Sequence, residues 1–267
     1  MIRETNSMVN KISPDKLVDG WFEEEDSFVL PTTVEIPKRE YKEKLIAWID
    51  VLGMSKAIID SGKSDAGAED ILTNIGKLRN CVENSCEYLL KQSKLEYIQL
   101  NDGFIIVCDL DCIDELCKIL CEIQWKVLIE IKLPVRGALT AGQVIISTDP
   151  KVIIGPAFIN AHKMEDEIAI FPRILFSDEI YKYIDNGIIS FSYIMKDADN
   201  LQYLDYLRYE FELEENSRNF DNKLKVHGIK QLVKERYNDN ITHNMNVAQK
   251  YGWIINKLSA LRINMNY

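Results

Sequence analysis

Residues 45–51, Leu-Ile-Ala-Trp-Ile-Asp-Val, are apolar at every position but Asp50, the pattern of a strand buried on both faces. Leu52 and Gly53 then turn the chain, and a helical pattern occupies 55–92, interrupted near 61–67 where Gly62 and Gly67 lie among Ser and Asp. Two shorter apolar runs, 96–100 and 104–108, flank Asn101-Asp102-Gly103. Asn or Asp followed by Gly between such runs predicts a tight hairpin. Residues 113–132 repeat apolar positions at three and four, predicting a helix that Pro134 closes, and 135–147 reads as a long strand. A strand-to-helix unit follows over 152–166. A strand over 173–176 leads into Ser177, a candidate N-cap. Residues 195–207 predict a late strand or hairpin, and 212–267 is largely helical in pattern.

The order β-α-β-β-α-β, continued by further β/α elements, predicts an α+β fold built on a ferredoxin-like palm with a helical C-terminal extension. Residues 1–40 are polar and irregular, with Pro14, Pro31 and Pro37 opposing long helices. The expected divisions are therefore 1–40, 41–207 and 208–267. In such a palm the first strand lies beside the hairpin of the second and third, so Asp50 and Asp102 meet at one edge of the sheet.

Across 267 residues, 46% apolar content suffices for a full core and excludes wholesale disorder. A net charge of −10 argues against a general nucleic-acid binder, which needs a basic face. No stretch has the length of a membrane span, and the first residues do not resemble a signal peptide, so a cytoplasmic protein with no membrane partner is expected. Cys81, Cys86, Cys108, Cys112, Cys117 and Cys121 form no Cys-x-x-Cys, and the histidines are His162, His227 and His243. Buried reduced thiols are the expectation rather than a zinc site.

Two isolated carboxylates at neighbouring strand ends suit hard divalent cations, which accept oxygen ligands and keep several waters. Asp50 and Asp102, with the backbone carbonyl of Val51, could hold two Mg2+ or Mn2+ ions, and two such ions activate a hydroxyl and neutralise a leaving pyrophosphate. The amides of Leu52, Gly53, Met54 and Ser55 open the next helix and form a candidate phosphate cradle. The plainer reading has Asp50 capping that helix and Asp102 making the turn.

At this point the chain resembles a class III nucleotidyl cyclase domain over about 42–200. Ile49-Asp50-Val51-Leu52-Gly53-Met54-Ser55 resembles that family's first metal motif, and Asn101-Asp102 its second, with Asn where Gly is usual. Arg136-Gly137-Ala138-Leu139-Thr140-Ala141-Gly142 resembles the following strand, and the stretch from Gly155 to Glu165 the dimer-face helix. The resemblance implies a homodimer whose metals sit on one subunit while the other contacts the base and the transition state. It places Ile98 and Val152 where purine cyclases carry polar base readers, and Ile159 where the family has Asn, beside Asn160. Lys163 stands where the family has a transition-state Arg, a point charge in place of a bidentate fork. An unpaired polar base edge costs about 1–3 kcal/mol, so ordinary purine selection is not expected.

A narrower resemblance covers most of the chain. Trp48-Ile49-Asp50-Val51-Leu52-Gly53, Arg136-Gly137-Ala138, Ile154-Gly155-Pro156-Ala157, Phe171-Pro172-Arg173-Ile174 and Lys250-Tyr251-Gly252-Trp253 resemble the pyrimidine cyclases of bacterial Pycsar anti-phage systems. These convert UTP or CTP to a cyclic nucleotide that activates a companion effector, and the resemblance implies a nucleotide-contacting Trp48, which as a plain residue reads as a core aromatic. Two alternatives stay open: a purine cyclase, and an inactive cyclase-like dimer that senses nucleotides. Arg173 is expected to form a salt bridge rather than touch phosphate. His162 is expected to be an interface or surface residue, and Tyr237, Tyr251 and Trp253 packing anchors.

Overall fold

The computed structural model describes residues 40–148, 151–216 and 220–263. These residues belong to one compact unit, Glu40–Tyr267. The expected irregular segment 1–40 lies, Glu40 apart, outside the described residues.

This unit starts with β1 (Lys42–Val51), α1 (Met54–Ser61), α2 (Asp65–Lys91), β2 (Leu95–Leu100), β3 (Gly103–Cys108), α3 (Ile113–Glu130) and β4 (Val135–Thr148). These strands lie in the order β2-β3-β1-β4, with β1 antiparallel to both neighbours, which is the ferredoxin-like split β-α-β arrangement. The fold is α+β, as the sequence pattern predicts. Then come β5 (Lys151–Ile154), α4 (Pro156–Glu167), β6 (Ile174–Phe176), α5 (Asp178–Asp185), β7 (Ile194–Lys196) and β8 (Gln202–Leu204). β6, β8 and β7 extend the sheet beyond β4, and β5 folds back on the end of β4. Three helices follow: α6 (Tyr206–Asn216), α7 (Phe220–Asn240) and α8 (Met245–Ile263).

Alternation along β1 decides what each face of the sheet carries. Leu45, Ala47 and Ile49 enter the main core, which α2, α3 and the C-terminal helices cover. Ile46 and Trp48 turn to the other face and join a smaller cluster with Ala157 and Ala161 of α4. Asp50, two residues beyond Trp48, shares that second face. Gly137 keeps β4 close to β1: a Cβ there would lie 2.4 Å from the Trp48 carbonyl oxygen and 3.2 Å from the Ile49 Cα. Because both obstacles are backbone in central strands, Gly137→Ala should cost about 3 kcal/mol, the upper end for overpacking. A loss of unfolding free energy under half that size, measured by urea titration, would contradict the close approach.

The late hairpin is shorter than the expected 195–207. Its second strand ends at Leu204, and α6 begins at Tyr206, so the division drawn at 207/208 falls inside that helix. Ser177 occupies the N-cap position of α5, but makes no side-chain cap; its hydroxyl donates to Thr140 Oγ1 at 2.9 Å. Arg173 is buried, paired with Asp197 and Asp199. Asp197 also accepts from Trp253 Nε1 (2.7 Å) and Lys257 Nζ (3.0 Å), which fastens α8 to the β7–β8 turn. Arg173 and Trp253 are thus structural, as expected, and Tyr251 is buried. All six cysteines are buried free thiols, with burial raising the pKa of Cys86 to about 12. Among the described residues, no helix is long and apolar enough to cross a membrane.

Candidate active site

Antiparallel pairing sets Asp50, the penultimate residue of β1, opposite Gly103, the first residue of β3. Asp102 immediately precedes Gly103 in the β2–β3 turn, which Asn101 enters at a φ of 53°. The two residues therefore sit at neighbouring strand ends, close enough for their charges to act on each other. Burial raises the Asp50 pKa above the ordinary carboxylate value and the Asp102 charge raises it further, while Arg136 pulls it back. A divalent cation would relieve that like-charge contact. Among the described residues, no three His, Cys, Asp or Glu side chains cluster to hold a metal. Asp50 and Asp102 would offer two carboxylates, a set that fits an oxygen-preferring ion completed by water and phosphate oxygens.

Leu52 and Gly53 carry the chain from β1 into α1. Gly53 adopts a φ of +94°, a left-handed conformation that glycine enters without a Cβ penalty, and it is the N-cap of α1 with no side-chain cap. Ser55 donates its hydroxyl to Asp102 at 3.4 Å, tying the first turn of α1 to the hairpin. The expected cradle needs one correction, because the Leu52 amide already donates to the Pro134 carbonyl at 2.9 Å. The Met54 side chain is fully buried, which leaves its backbone amide as the only group it could offer to a ligand. Val51 is buried opposite Val135.

Trp48 lies on the Asp50 face, but it is half-buried and its ring stacks on His162 (centroids 4.5 Å apart, planes 6° apart) and against Phe158. Lys163 is not brought to the carboxylates within one chain. α4 turns Ala157, Ala161 and Glu165 onto the sheet, and Lys163, midway between the last two, is exposed on the outward side. Ile159 is exposed as well, whereas Asn160 donates to Glu179 Oε2 (3.3 Å) and Thr140 Oγ1 (3.4 Å). Ile98 is half-buried on β2 and Val152 is partly exposed on β5.

Three residues beside the carboxylates did not emerge from the sequence as site residues. Arg136 pairs directly across β4 from Asp50, with Nε 3.4 Å from Asp50 Oδ2 and Nη2 2.7 Å from Glu165 Oε1. Its Nη1 also donates to the carbonyls of Glu165 and Ala169, so the end of α4 holds the guanidinium in place. Lys250 of α8 is the third, close enough to feel the charges of Arg136, Asp50 and Glu165. Arg136 is conspicuous in the sequence only once the β1–β4 register is known. Lys250 gives no local signal, because α8 is more than a hundred residues away in sequence.

Burial lifts the Glu165 pKa from 4.5 to about 7. The folded state thus holds this proton more tightly than the unfolded chain. The resulting stability is fully present below about pH 4.5 and is lost as pH rises through 7. At 1.36 kcal/mol per unit the loss is on the order of 3 kcal/mol. Glu165→Gln should remove it, so wild type should lose more melting temperature than the variant between pH 5 and 8. Parallel pH profiles would contradict this.

No family model matches the chain, and no curated protein matches it. Among solved structures, it is similar to the monomeric guanylyl cyclase domain of a fusion protein from the aquatic fungus Blastocladiella emersonii. The identity is 17%, the match covers 62% of this chain and 96% of that one, and the TM-score is 0.45. It is similar also to the adenylyl cyclase CyaB from P. aeruginosa (17% identity, 62% and 95% covered, TM-score 0.44). A bacterial light-regulated adenylyl cyclase gives 14% identity, coverage of 54% and 46%, and a TM-score of 0.44. Likeness at this level assigns neither substrate nor activity to this chain.

Proposed function

We propose that the chain is a metal-dependent pyrimidine nucleotide cyclase, making 3′,5′-cyclic UMP or cyclic CMP and pyrophosphate from UTP or CTP. The observation that carries this reading is the placement of Asp50 and Asp102 at neighbouring paired strand ends, each within reach of the other's charge, beside a helix N-terminus with no side-chain cap. In the reaction, the ribose 3′-oxygen bonds to the α-phosphorus and loses its proton to solvent. The bond from the α-phosphorus to the bridging oxygen breaks, and pyrophosphate leaves with the electron pair. Asp50, Asp102 and the Val51 carbonyl would hold Mg2+ or Mn2+. When bound, such ions lower the pKa of the attacking hydroxyl and neutralise charge on the leaving group. The amides of Gly53, Met54 and Ser55 take phosphate oxygens, and Arg136 adds a fixed positive charge beside Asp50.

Lys163, outward on α4, reaches a reacting phosphate only in a partner's site, which makes the active species a homodimer. Exposed apolar side chains, Ile159 on α4 with Val152 and Ile154 on β5, support such an interface. The resemblance to Pycsar cyclases supplies the biological setting, a second messenger in anti-phage defence that activates a cyclic-nucleotide-dependent effector.

The pyrimidine assignment rests on apolar Ile98 and Val152 and on bulky Trp48. Purified protein offered equal amounts of the four nucleoside triphosphates with Mn2+ should yield cyclic UMP or cyclic CMP by mass, with little cyclic AMP or GMP. Trp48→Ala should relax that choice and slow turnover about tenfold through looser positioning of the ribose. Dominant cyclic AMP from wild type would overturn the substrate assignment.

A further inference from the structure

Beside the α1 N-terminus lies a cavity of about 310 Å3, walled on one side by Gly53, Lys56 and Leu133 and on the other by Arg236, Asn244 and Lys250 of the α7–α8 hairpin. That volume is at the lower end for small-ligand sites, about 300 Å3. The chain carries a net charge of −10, yet three cationic side chains converge here. Among the described residues, Lys56, Arg236 and Lys250 have no ion-pair partner. One acid, Asp60, also lines the cavity, and Lys63 already holds its carboxylate. Lys56 and Arg236 are exposed and lose little hydration in reaching inward, whereas Lys250 is half-buried and its pKa is lowered, first by burial and then by Arg136. A half-buried ammonium beside a guanidinium gains most from an anion arriving in the cavity.

We propose that this cavity is a polyphosphate clamp in which Arg236 and Lys250 of the C-terminal hairpin, with Lys56 of α1, hold the terminal phosphates of a nucleoside triphosphate. The arrangement suits a chain of phosphates rather than a single one. Gly53 and Leu52 border both the cavity and the Asp50 strand end, and Lys250 feels the Asp50 charge. A ligand lying across that border presents its inner phosphate to the carboxylates and its outer phosphates to the cations. Arg236 supplies a planar fork, and the two lysines supply point charges. The helical extension thereby becomes part of the binding site, and its docking through Trp253 and Lys257 on Asp197 positions Lys250 on the same helix. The clamp as an anion site stands on these residues alone; its assignment to a nucleotide rests on the cyclase reading.

The test uses the full chain in EDTA, titrated calorimetrically with sodium tripolyphosphate. Wild type should bind one tripolyphosphate per chain, and UTP should displace it. Arg236→Ala and Lys250→Ala should each weaken binding about tenfold, equivalent to about 1.4 kcal/mol, and Arg236→Lys should recover part of the loss. Lys234→Ala, on the same helix but lining a different cleft with Ile255 and Leu258, should bind as wild type. In turnover, the two alanine variants should raise KM for the nucleotide about tenfold with kcat within about threefold, the signature of lost ground-state binding. Arg236 is exposed, so its variants keep the test decisive if Lys250→Ala fails to fold. Absence of tripolyphosphate binding by wild type, or unchanged affinity in Arg236→Ala, would overturn the clamp even in a protein that makes cyclic nucleotide. Binding that follows the expected pattern in a protein that cyclises nothing would uphold the clamp and discard the cyclase reading.

Discussion

Asp50→Asn should abolish cyclisation, lowering the rate at least about 1,000-fold, while the protein melts at or above the wild-type temperature. The loss corresponds to about 4 kcal/mol of transition-state stabilisation. The stability expectation follows from the environment. Burial and the Asp102 charge both disfavour an ionised Asp50, so a neutral amide of the same shape removes an unfavourable term in the metal-free fold. Arg136 keeps its ion pair with Glu165 and its two carbonyl acceptors. Asp102→Ala should lose activity to the same extent, because no other side-chain carboxylate among the described residues completes a three-ligand cluster. If Asp50 only capped α1 and Asp102 only made the turn, both variants would retain turnover and lose stability instead. The assay therefore separates catalysis from architecture by the sign of two independent readouts.

Mixing Asp102→Ala protein with Lys163→Ala protein should restore activity that neither has alone. Lys163 lies on the outward side of α4, and Asp102 in a hairpin turn of the same chain that Lys163 does not approach. If a partner subunit supplies Lys163, each mixed dimer contains one intact site and one doubly defective site. Random exchange makes about half the dimers mixed, so roughly a quarter of wild-type activity should return. Activity no greater than that of the two separate variants, after exchange is verified by differently tagged chains, would remove Lys163 from the site.

Much of this geometry could be read from the chain because the informative signals are local. Asn101-Asp102-Gly103 specifies a tight turn, and the run from Leu45 to Val51 specifies a buried strand, so the palm order alone implies neighbouring strand ends for Asp50 and Asp102. Side-chain orientation on α4 was not legible in the same way. Which of Ile159, Asn160 and Lys163 faces the sheet depends on the helix phase, and the close packing of Gly155 on β4, where a Cβ would lie 2.4 Å from the Gln143 carbonyl oxygen, is a tertiary feature. The Leu52 amide reads from the sequence as a phosphate donor because its partner, the Pro134 carbonyl, is distant in the chain. Arg136 and Lys250 are silent in the sequence as site residues for a related reason. Register between strands and docking of a distant helix are tertiary facts, and neither leaves a periodic trace.

The most direct measurement follows the mass and stoichiometry of the products from the preferred nucleoside triphosphate in the presence of Mn2+. Attack by the ribose 3′-oxygen on the α-phosphorus requires cyclic nucleotide and pyrophosphate in equal amounts, with no linear monophosphate and no nucleoside diphosphate. That is the expected result, and Asp50→Asn should eliminate both products together. Release of a linear monophosphate with pyrophosphate, or of a diphosphate with orthophosphate, would mean that water rather than the ribose hydroxyl is the nucleophile, and would contradict the cyclase account.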